Sequence, residues 1–402
     1  MIDNADLREC AVKTDSKIIL LVADGLGGAP HPKTRKSELE TAHLPNLNAL
    51  AGQSACGLTI PVAPGIAPGS GPGHLALFGY DPLKYVIGRG ALEAFGVDGI
   101  DFKVGDVVAR GNFSTVDSDG KLLDRRAGRI LSEQSAPLCH ELNKIKVDGV
   151  ESRVYPVKDY RFVLRLRGTG LSDALTETDP QRLGIEPLPV KAKAPEAEKT
   201  AKAANQFVHK ARQVLMEEKQ ANTVMLRGFS GMPDLPSFGE AFKLTPAAIA
   251  AYPMYRGLAA IVGMKVLRTG ADFDAEVKTL HARYQDHDFF FIHYKYADAA
   301  GEDGDFDGKV KALEDLDKYI PRLLDLKPDV FMVAGDHSTP AILAAHSWHP
   351  VPFLLHSRLT LGEGIEAFHE KACALGSLGA MPATSIMPLA LAHAGKLAKF
   401  GA

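Results

Sequence analysis

Ser70 stands in APGSGPGHLALFGYDP, residues 67–82, between glycines at 69, 71 and 73 and prolines at 68 and 72. Glycine admits turns that a side chain would block and proline limits their range, so the serine is expected on a stiff loop. Four further stretches carry groups able to do chemistry. They are ADG with Asp24, YADAAGEDGD with Asp298, Glu302 and Asp303, AGDHSTP with Asp336 and His337, and AHSWHPVPF with His346 and His349. Carboxylates gathered on one rim repel each other unless a cation sits among them, and carboxylates mixed with imidazoles suit Mn²⁺, Zn²⁺ or a similar divalent ion. Two such ions ~4 Å apart can hold both ends of a phosphoryl transfer. A serine bound to one of them would lose its proton readily, and the stiff loop would keep it in line with an incoming phosphorus. Taken singly these signals are ordinary: a GD step is usually a turn, one histidine is usually structural, and a serine between glycines is usually loop. Their occurrence together, in this order, carries the argument.

The elements that must position them read as α/β. KIILLVADG (17–25) is a continuous apolar run that ends in an acid and a glycine, as in a strand buried on both faces whose C-terminal end presents functional groups. DFFFIHYKYAD (288–298) and DVFMVAGDH (329–337) repeat the pattern, with apolar residues at helical spacing between them, which makes a strand–helix–strand unit. NTVMLRG (222–228) and VPFLLHS (351–357) read as two further buried strands. From about 104 to 187 the runs shorten and alternate, as expected of a smaller antiparallel or mixed sheet. PLPVKAKAPEAEKTAKAAN then reads as a solvated connector leading back to the main sheet. The expected division is 1–103 with 188–402 as core and 104–187 as insertion.

At 402 residues the chain has room for two or three domains of about 150 residues. Apolar residues make up 46% and charged residues 24%, with a net charge of −3. That balance is globular and argues against nucleic acid or an anionic membrane as the main partner. The opening MIDNADLREC does not read as a signal peptide, and no apolar run approaches the ~18 residues of a membrane span. Four scattered cysteines without a close CxxC pair indicate neither a zinc knuckle nor a disulfide framework, and a reducing cytoplasm is the expected compartment.

Long stretches of the chain resemble the 2,3-bisphosphoglycerate-independent phosphoglycerate mutases of the archaeal type, in the alkaline phosphatase superfamily. They include VADGLGG, SELETAHLPNLNALA, PGSGPGHLALFGYDP, GRGALEAFG, RGNFSTVD, DRRAGR, TDPQ, YPMYRGLA, HYKYADAAGEDGDFDGKVKALE, GDHSTP and AHSWHPVPF. The resemblance implies an alkaline phosphatase-like core with a mostly parallel sheet and helices, plus a smaller inserted α+β domain that covers the active site. It implies two divalent ions, with Asp24, Ser70, Asp336 and His337 around one and Asp298 and His346 at the other. Most relatives place a histidine four residues after that aspartate; here Glu302 stands there, with Asp303 beside it as the alternative. An oxygen ligand makes the site harder, so Mn²⁺ is expected first, with Mg²⁺, Co²⁺ or Zn²⁺ as alternatives. Cationic contacts to substrate are expected from Arg110, Asn112, Arg125, Arg126, Arg129 and Arg161 in the insertion, and from Arg227, Arg256 and Lys295 on the core side. The implied reaction interconverts 3-phosphoglycerate and 2-phosphoglycerate in glycolysis and gluconeogenesis through a transient phosphoserine, without 2,3-bisphosphoglycerate; a homo-oligomer is allowed. A metal-dependent phosphatase or another phosphomutase of the same superfamily is the alternative, and a chain that only binds a phosphorylated ligand is the reading outside catalysis.

Overall fold

The computed structural model describes residues 9–97, 99–362 and 365–401; the polar opening through residue 8 lies outside them. The described strands, in chain order, are β1 Ile18–Ala23, β2 Ala55–Ile60, β3 Val107–Val116, β4 Leu122–Asp124, β5 Glu151–Pro156, β6 Arg161–Arg167, β7 Thr223–Ser230, β8 Pro246–Ile249, β9 Lys265–Val266, β10 Phe289–Tyr294, β11 Val330–Ala334, β12 Val351–Ser357 and β13 Gly379–Pro382. By internal contacts the chain divides into two compact units, Met1–Val86 with Leu235–Ala402, and Ile87–Asp234.

The first unit is built on an eight-stranded sheet in the order β13-β2-β12-β11-β1-β10-β8-β9. Strand β1 lies at its centre, wholly buried and parallel to β10 and β11. This is the environment that a continuous IILLVA run requires, since neither face meets water. Alternate residues serve opposite faces. Ile19, Leu21 and Ala23 pack with Phe290, Ile292 and the helices Pro45–Ala51, Phe273–Arg283 and Phe306–Asp317. On the opposite face Phe291 meets His74 and Phe78 from the segment around helix Ser70–Leu77.

Register then delivers the chemistry to one edge. Ala23 pairs with Tyr294 and Val22 with Ala334, so Asp24, Lys295 and Asp336 all leave the sheet at the same end. Strand β12 runs antiparallel to both β11 and β2, so the segment before it, with His346 and His349, starts from that end too.

The second unit holds the sheet β4-β3-β6-β5, with β7 paired antiparallel along β3. One face packs Ala109, Phe113, Phe162 and Leu164 under helix Glu198–Val214, whose Ala204, Phe207 and Ala211 point inward. On the other, Val108 and Val163 meet Ala91 and Ala94 of helix Arg89–Gly96. That helix lies close to the strands at Gly90, where an added Cβ would stand 2.5 Å from the Gly228 carbonyl.

The expected return to the main sheet after residue 188 is corrected here. The connector leads through helix Glu198–Val214 into β7, and the run read as NTVMLRG belongs to the smaller sheet, so Arg227 lies opposite Arg110 of β3. An apolar run marks a buried strand but not its partner; here Val224 and Leu226 complete the core that Phe207 fills. No helix among the described residues is long and apolar enough to cross a membrane.

Candidate active site

Ser70 does not sit on a loop. It is the first residue of helix Ser70–Leu77, with Gly69 as the cap. Pro72 is tolerated because a proline early in a helix gives up an N–H that has no intrahelical partner. Gly73 is required by space, since a Cβ there would stand 2.2 Å from the Asp336 carbonyl oxygen. The helix therefore docks directly on the loop after β11 and aims the Ser70 hydroxyl at its side chains.

Three wholly buried carboxylates, Asp24, Asp298 and Asp336, meet there with buried His337 and part-exposed His346. Hydrogen bonding decides which imidazole nitrogen is bare. Thr339 Oγ1 donates to Asp298 Oδ1 at 2.6 Å and so can only accept from His337 Nδ1, 2.9 Å away. His337 Nε2 is then a lone pair, 3.2 Å from Ser70 Oγ, 3.4 Å from Asp24 Oδ1 and 3.2 Å from Asp336 Oδ2. Burial pushes the His337 pKa down, which favours this neutral form. His346 repeats the arrangement. Its Nδ1–H donates to the Pro68 carbonyl at 2.9 Å, leaving Nε2 to face Asp298 Oδ1 at 3.6 Å and Glu302 Oε1 at 3.5 Å. The two imidazoles stack with centroids 3.7 Å apart.

Each nitrogen thus shares its surroundings with carboxylate oxygens that repel it and one another. Asp24 Oδ1 and Asp336 Oδ2 are buried and make no hydrogen bond. Buried acceptors without donors are costly, and a cation placed among them removes the cost. Two groups of ligand atoms have metal-binding proximity, Asp24 with Asp336 and His337, and Asp298 with His337 and His346. The donor set of carboxylate and neutral imidazole fits divalent metal ions.

Sequence reasoning passes over the groups that hold these ligands. Tyr255 donates its hydroxyl to Asp24 Oδ2 and stacks on His293 at 3.6 Å between ring centroids. His293 Nε2 lies 3.3 Å from the same oxygen. Burial would raise the Asp24 carboxyl, but His293, His337 and Lys295 outweigh it and hold it well below the usual carboxylate range. Burial beside Asp24 and Asp336 pushes the Tyr255 hydroxyl far up, so it remains a donor. His74 donates from Nδ1 to the Ser70 carbonyl at 2.9 Å and lies 3.1 Å from Asp336 Oδ2. Lys295 reaches Asp24 Oδ2 at 3.1 Å and hydrogen-bonds Asp298. Burial lowers its pKa, but the Asp24 and Asp298 charges prevail and raise it, so the ammonium stays charged. Gly25 adopts φ +65°, and a Cβ there would meet Thr339 Oγ1 at 2.6 Å and Asp298 Cβ at 2.8 Å.

Glu302 ends helix Tyr296–Glu302, one turn beyond Asp298, and its side chain is 54% exposed. His349 turns toward Ser347 Oγ at 2.9 Å and stacks with Trp348, outside both groups. Half-buried Arg256 follows Tyr255 on helix Pro253–Ile261.

In the second unit, pairing and alternation put Arg110, Asn112, Arg161 and Arg227 on one sheet face: Arg110 opposite Arg227, Asn112 opposite Arg161. Arg110 and Arg161 share Glu93 Oε1 at 3.5 and 3.7 Å, while their Nε atoms and Asn112 Oδ1 are buried without a hydrogen bond. Arg227 lies 3.2 Å from Glu177 and 3.3 Å from Asp179, which Arg125 grips with two bonds of 2.8 and 2.7 Å. Arg126 and Arg129 are exposed.

Comparison with known proteins bears on the whole chain. A family model described as 2,3-bisphosphoglycerate-independent phosphoglycerate mutase matches residues 51–221. The chain is 50% identical over 401 residues to a probable 2,3-bisphosphoglycerate-independent phosphoglycerate mutase of Thermus thermophilus, covering 98% of each. It is 50% identical over 390 residues to a protein of the same description from Thermotoga maritima, covering 96% of each. Among solved structures, a cofactor-independent phosphoglycerate mutase from Thermoplasma acidophilum superposes with a TM-score of 0.73 at 29% identity, over 94% of this chain and 100% of that one. The PH0037 protein from Pyrococcus horikoshii gives 0.84 at 27% identity, over 97% and 100%.

Proposed function

The chain belongs to the 2,3-bisphosphoglycerate-independent phosphoglycerate mutase family, and we propose that it interconverts 3-phosphoglycerate and 2-phosphoglycerate through a phosphoserine at Ser70. It is an isomerase that uses no 2,3-bisphosphoglycerate. The observation that carries the chemistry is the convergence of the Ser70 hydroxyl, Asp24 Oδ1 and Asp336 Oδ2 on the bare His337 Nε2.

Two divalent ions, one with Asp24, Ser70, Asp336 and His337 and the other with Asp298, Glu302 and His346, would neutralise the cluster and supply Lewis acidity at the phosphoryl group. The chain's own groups do the rest. Ser70 Oγ attacks phosphorus as the O–P bond to glycerate breaks; the serine proton passes to the departing glycerate oxygen, which Lys295, beside Asp24 and Asp298, steadies. Glycerate reorients, and its other hydroxyl attacks the phosphoserine, so the new O–P bond forms as the Oγ–P bond breaks and the proton returns to Ser70. Water has to be kept out, because hydrolysis would release phosphate instead. Arg110, Asn112, Arg161 and Arg227, joined by Arg125 through Asp179, are assigned to the substrate's phosphate and carboxylate, which the guanidinium fork suits. Arg126, Arg129 and Arg256 complete that assignment.

Glu302 rather than Asp303 is proposed for the second ion, on its 3.5 Å approach to His346 Nε2. Its oxygen makes that set harder, which favours Mn²⁺ over Zn²⁺. The Asp–Ser–His arrangement supports an alkaline phosphatase-like core, and cysteines scattered without a close CxxC pair suit a cytoplasmic protein.

The test is an enolase-coupled assay on 3-phosphoglycerate without 2,3-bisphosphoglycerate. Activity should vanish with EDTA, return with Mn²⁺, and fall by about 10⁴-fold or more in Ser70→Ala. Release of free phosphate in place of 2-phosphoglycerate would replace the mutase reading with a phosphatase. In the same assay Glu302→Ala should require more Mn²⁺ than the wild type, and Asp303→Ala should not.

A further inference from the structure

Lys309 lies in helix Phe306–Asp317 and has no exposed surface. Its helical spacing explains why one side of that helix is buried, but not why a cation is on it. A buried lysine is rare unless each donor is used and its charge is answered.

The Lys309 ammonium donates to the Gly27 carbonyl and to the Thr339 carbonyl, both at 2.8 Å. Gly27 is in the loop that leaves β1 through Asp24. Thr339 is in the loop that leaves β11 through Asp336 and His337, and its hydroxyl contacts both His337 and Asp298. The two loops touch by themselves, since the Thr339 N–H also donates to the Gly27 carbonyl at 3.0 Å. Gly27 therefore has both lone pairs engaged. The helix bearing Asp298 and Glu302 rests on the same point: a Cβ on Gly301 would stand 2.3 Å from the Thr339 carbonyl oxygen.

Burial lowers the Lys309 pKa, and carboxylates on neighbouring elements, Glu38 first and then Glu370, oppose it. Glu38, wholly buried, accepts the Ala341 N–H at 2.7 Å and leaves Oε2 without a partner. Glu370 accepts the Gly28 N–H at 2.8 Å and the Ser37 hydroxyl at 2.5 Å. A neutral side chain of the same length would leave two buried carbonyls short of a donor and these carboxylates without their cation.

We propose that Lys309 is a positioning residue of the metal centre: its ammonium ties the loop of Asp24 to the loop of Asp336 and His337 and fixes the distance between their ligand atoms. The proposal rests on reading the Asp–His cluster as a metal centre, and its test separates the two. Mn²⁺ is titrated into metal-free wild type and Lys309→Met, with free Mn²⁺ followed by electron paramagnetic resonance and folding by far-ultraviolet circular dichroism. Folded Lys309→Met should bind Mn²⁺ about tenfold or more less tightly, the size of effect seen when groups that orient metal ligands are removed. At saturating Mn²⁺ its kcat should fall while KM for 3-phosphoglycerate stays within about twofold. A role confined to stability would lower Tm and leave Mn²⁺ affinity of the folded protein unchanged, and that result overturns the proposal. Should Lys309→Met fail to fold, Lys309→Gln, one bond shorter and with a neutral amide in place of the ammonium, is titrated with the same expectation and the same overturning result. Wild type that binds no Mn²⁺ would overturn the metal reading itself, and this proposal with it.

Discussion

The strand-end cluster of the larger unit and the arginine face of the smaller one handle charge in opposite ways. At the cluster, three buried aspartates face one lysine, and oxygens of Asp24 and Asp336 are left without donors. On the arginine face each guanidinium already has a carboxylate: Glu93 for Arg110 and Arg161, Asp179 for Arg125 and Arg227. In the proposed function a divalent cation completes the first arrangement. The second carries more guanidiniums than the carboxylates they share and is partly exposed, so an incoming anion can compete for it. In the proposed function the first keeps its ions and the second exchanges substrate.

That contrast can be broken most forcefully at the cluster. Asp24→Asn removes a carboxylate that faces Ser70 through His337 Nε2, and should cost about 10³-fold or more in kcat together with one bound Mn²⁺ per chain. Steady-state kinetics and elemental analysis of the same preparation check it. Retention of both ions with kcat within about tenfold of wild type would mean the cluster is not incomplete after all.

The arginine face should respond differently and less. Arg110→Met deletes a charge-assisted donor, a loss of about 1.5–3 kcal/mol for binding an anion. KM for 3-phosphoglycerate should rise by roughly 10- to 100-fold, with metal content unchanged. If Arg110→Met lost metal instead, the separation of roles between the two regions would fail.

How much of this was legible in the sequence differs between the two regions for a physical reason. The strand-end acids could be read because a strand buried on both faces must be apolar until it leaves the sheet, which makes Asp24, Asp298 and Asp336 conspicuous. Tyr255, His293 and His74 could not, because one polar residue in an apolar stretch looks the same whether it supports a ligand or merely fills core. Ser70 reads as loop because glycine and proline argue against helix, and nothing local announces that Gly73 is needed for close approach to Asp336. Arg227 reads as part of the main sheet because its strand is defined by apolar content, whereas the strand's partner is chosen by the core across the sheet. The alternation of Arg110 and Asn112 was readable; the pairing that sets them beside Arg161 and Arg227 depends on register and was not.

Whether a buried carboxylate oxygen without a donor always implies a cation can be asked at another acid of the larger unit. Glu276, 3% exposed, accepts the Ala251 N–H at 2.6 Å through Oε1 and leaves Oε2 without a partner. Among the described residues no cation is a cause of its shift, unlike Asp24, which Lys295 helps to hold down. Burial pushes its pKa up to about 8, only partly opposed by the Ala251 N–H, so it escapes the cost of burial by holding a proton. Because the folded value lies above the unfolded one, the folded state holds the proton between about pH 4.5 and 8 while the unfolded state has released it. Stability attributable to this group is therefore full below that window and falls as pH rises, by up to roughly 1.4 kcal/mol per unit. Glu276→Gln keeps an acceptor for Ala251 and carries no proton to lose. It should match wild type near pH 5, exceed it by about 2–4 kcal/mol at pH 8, and bind Mn²⁺ unchanged, measured by urea unfolding at both pH values and by the Mn²⁺ titration. Equal stability at both pH values would mean that Glu276 is ionised as Asp24 is, and that an oxygen without a donor does not by itself distinguish a metal ligand from an ordinary buried acid.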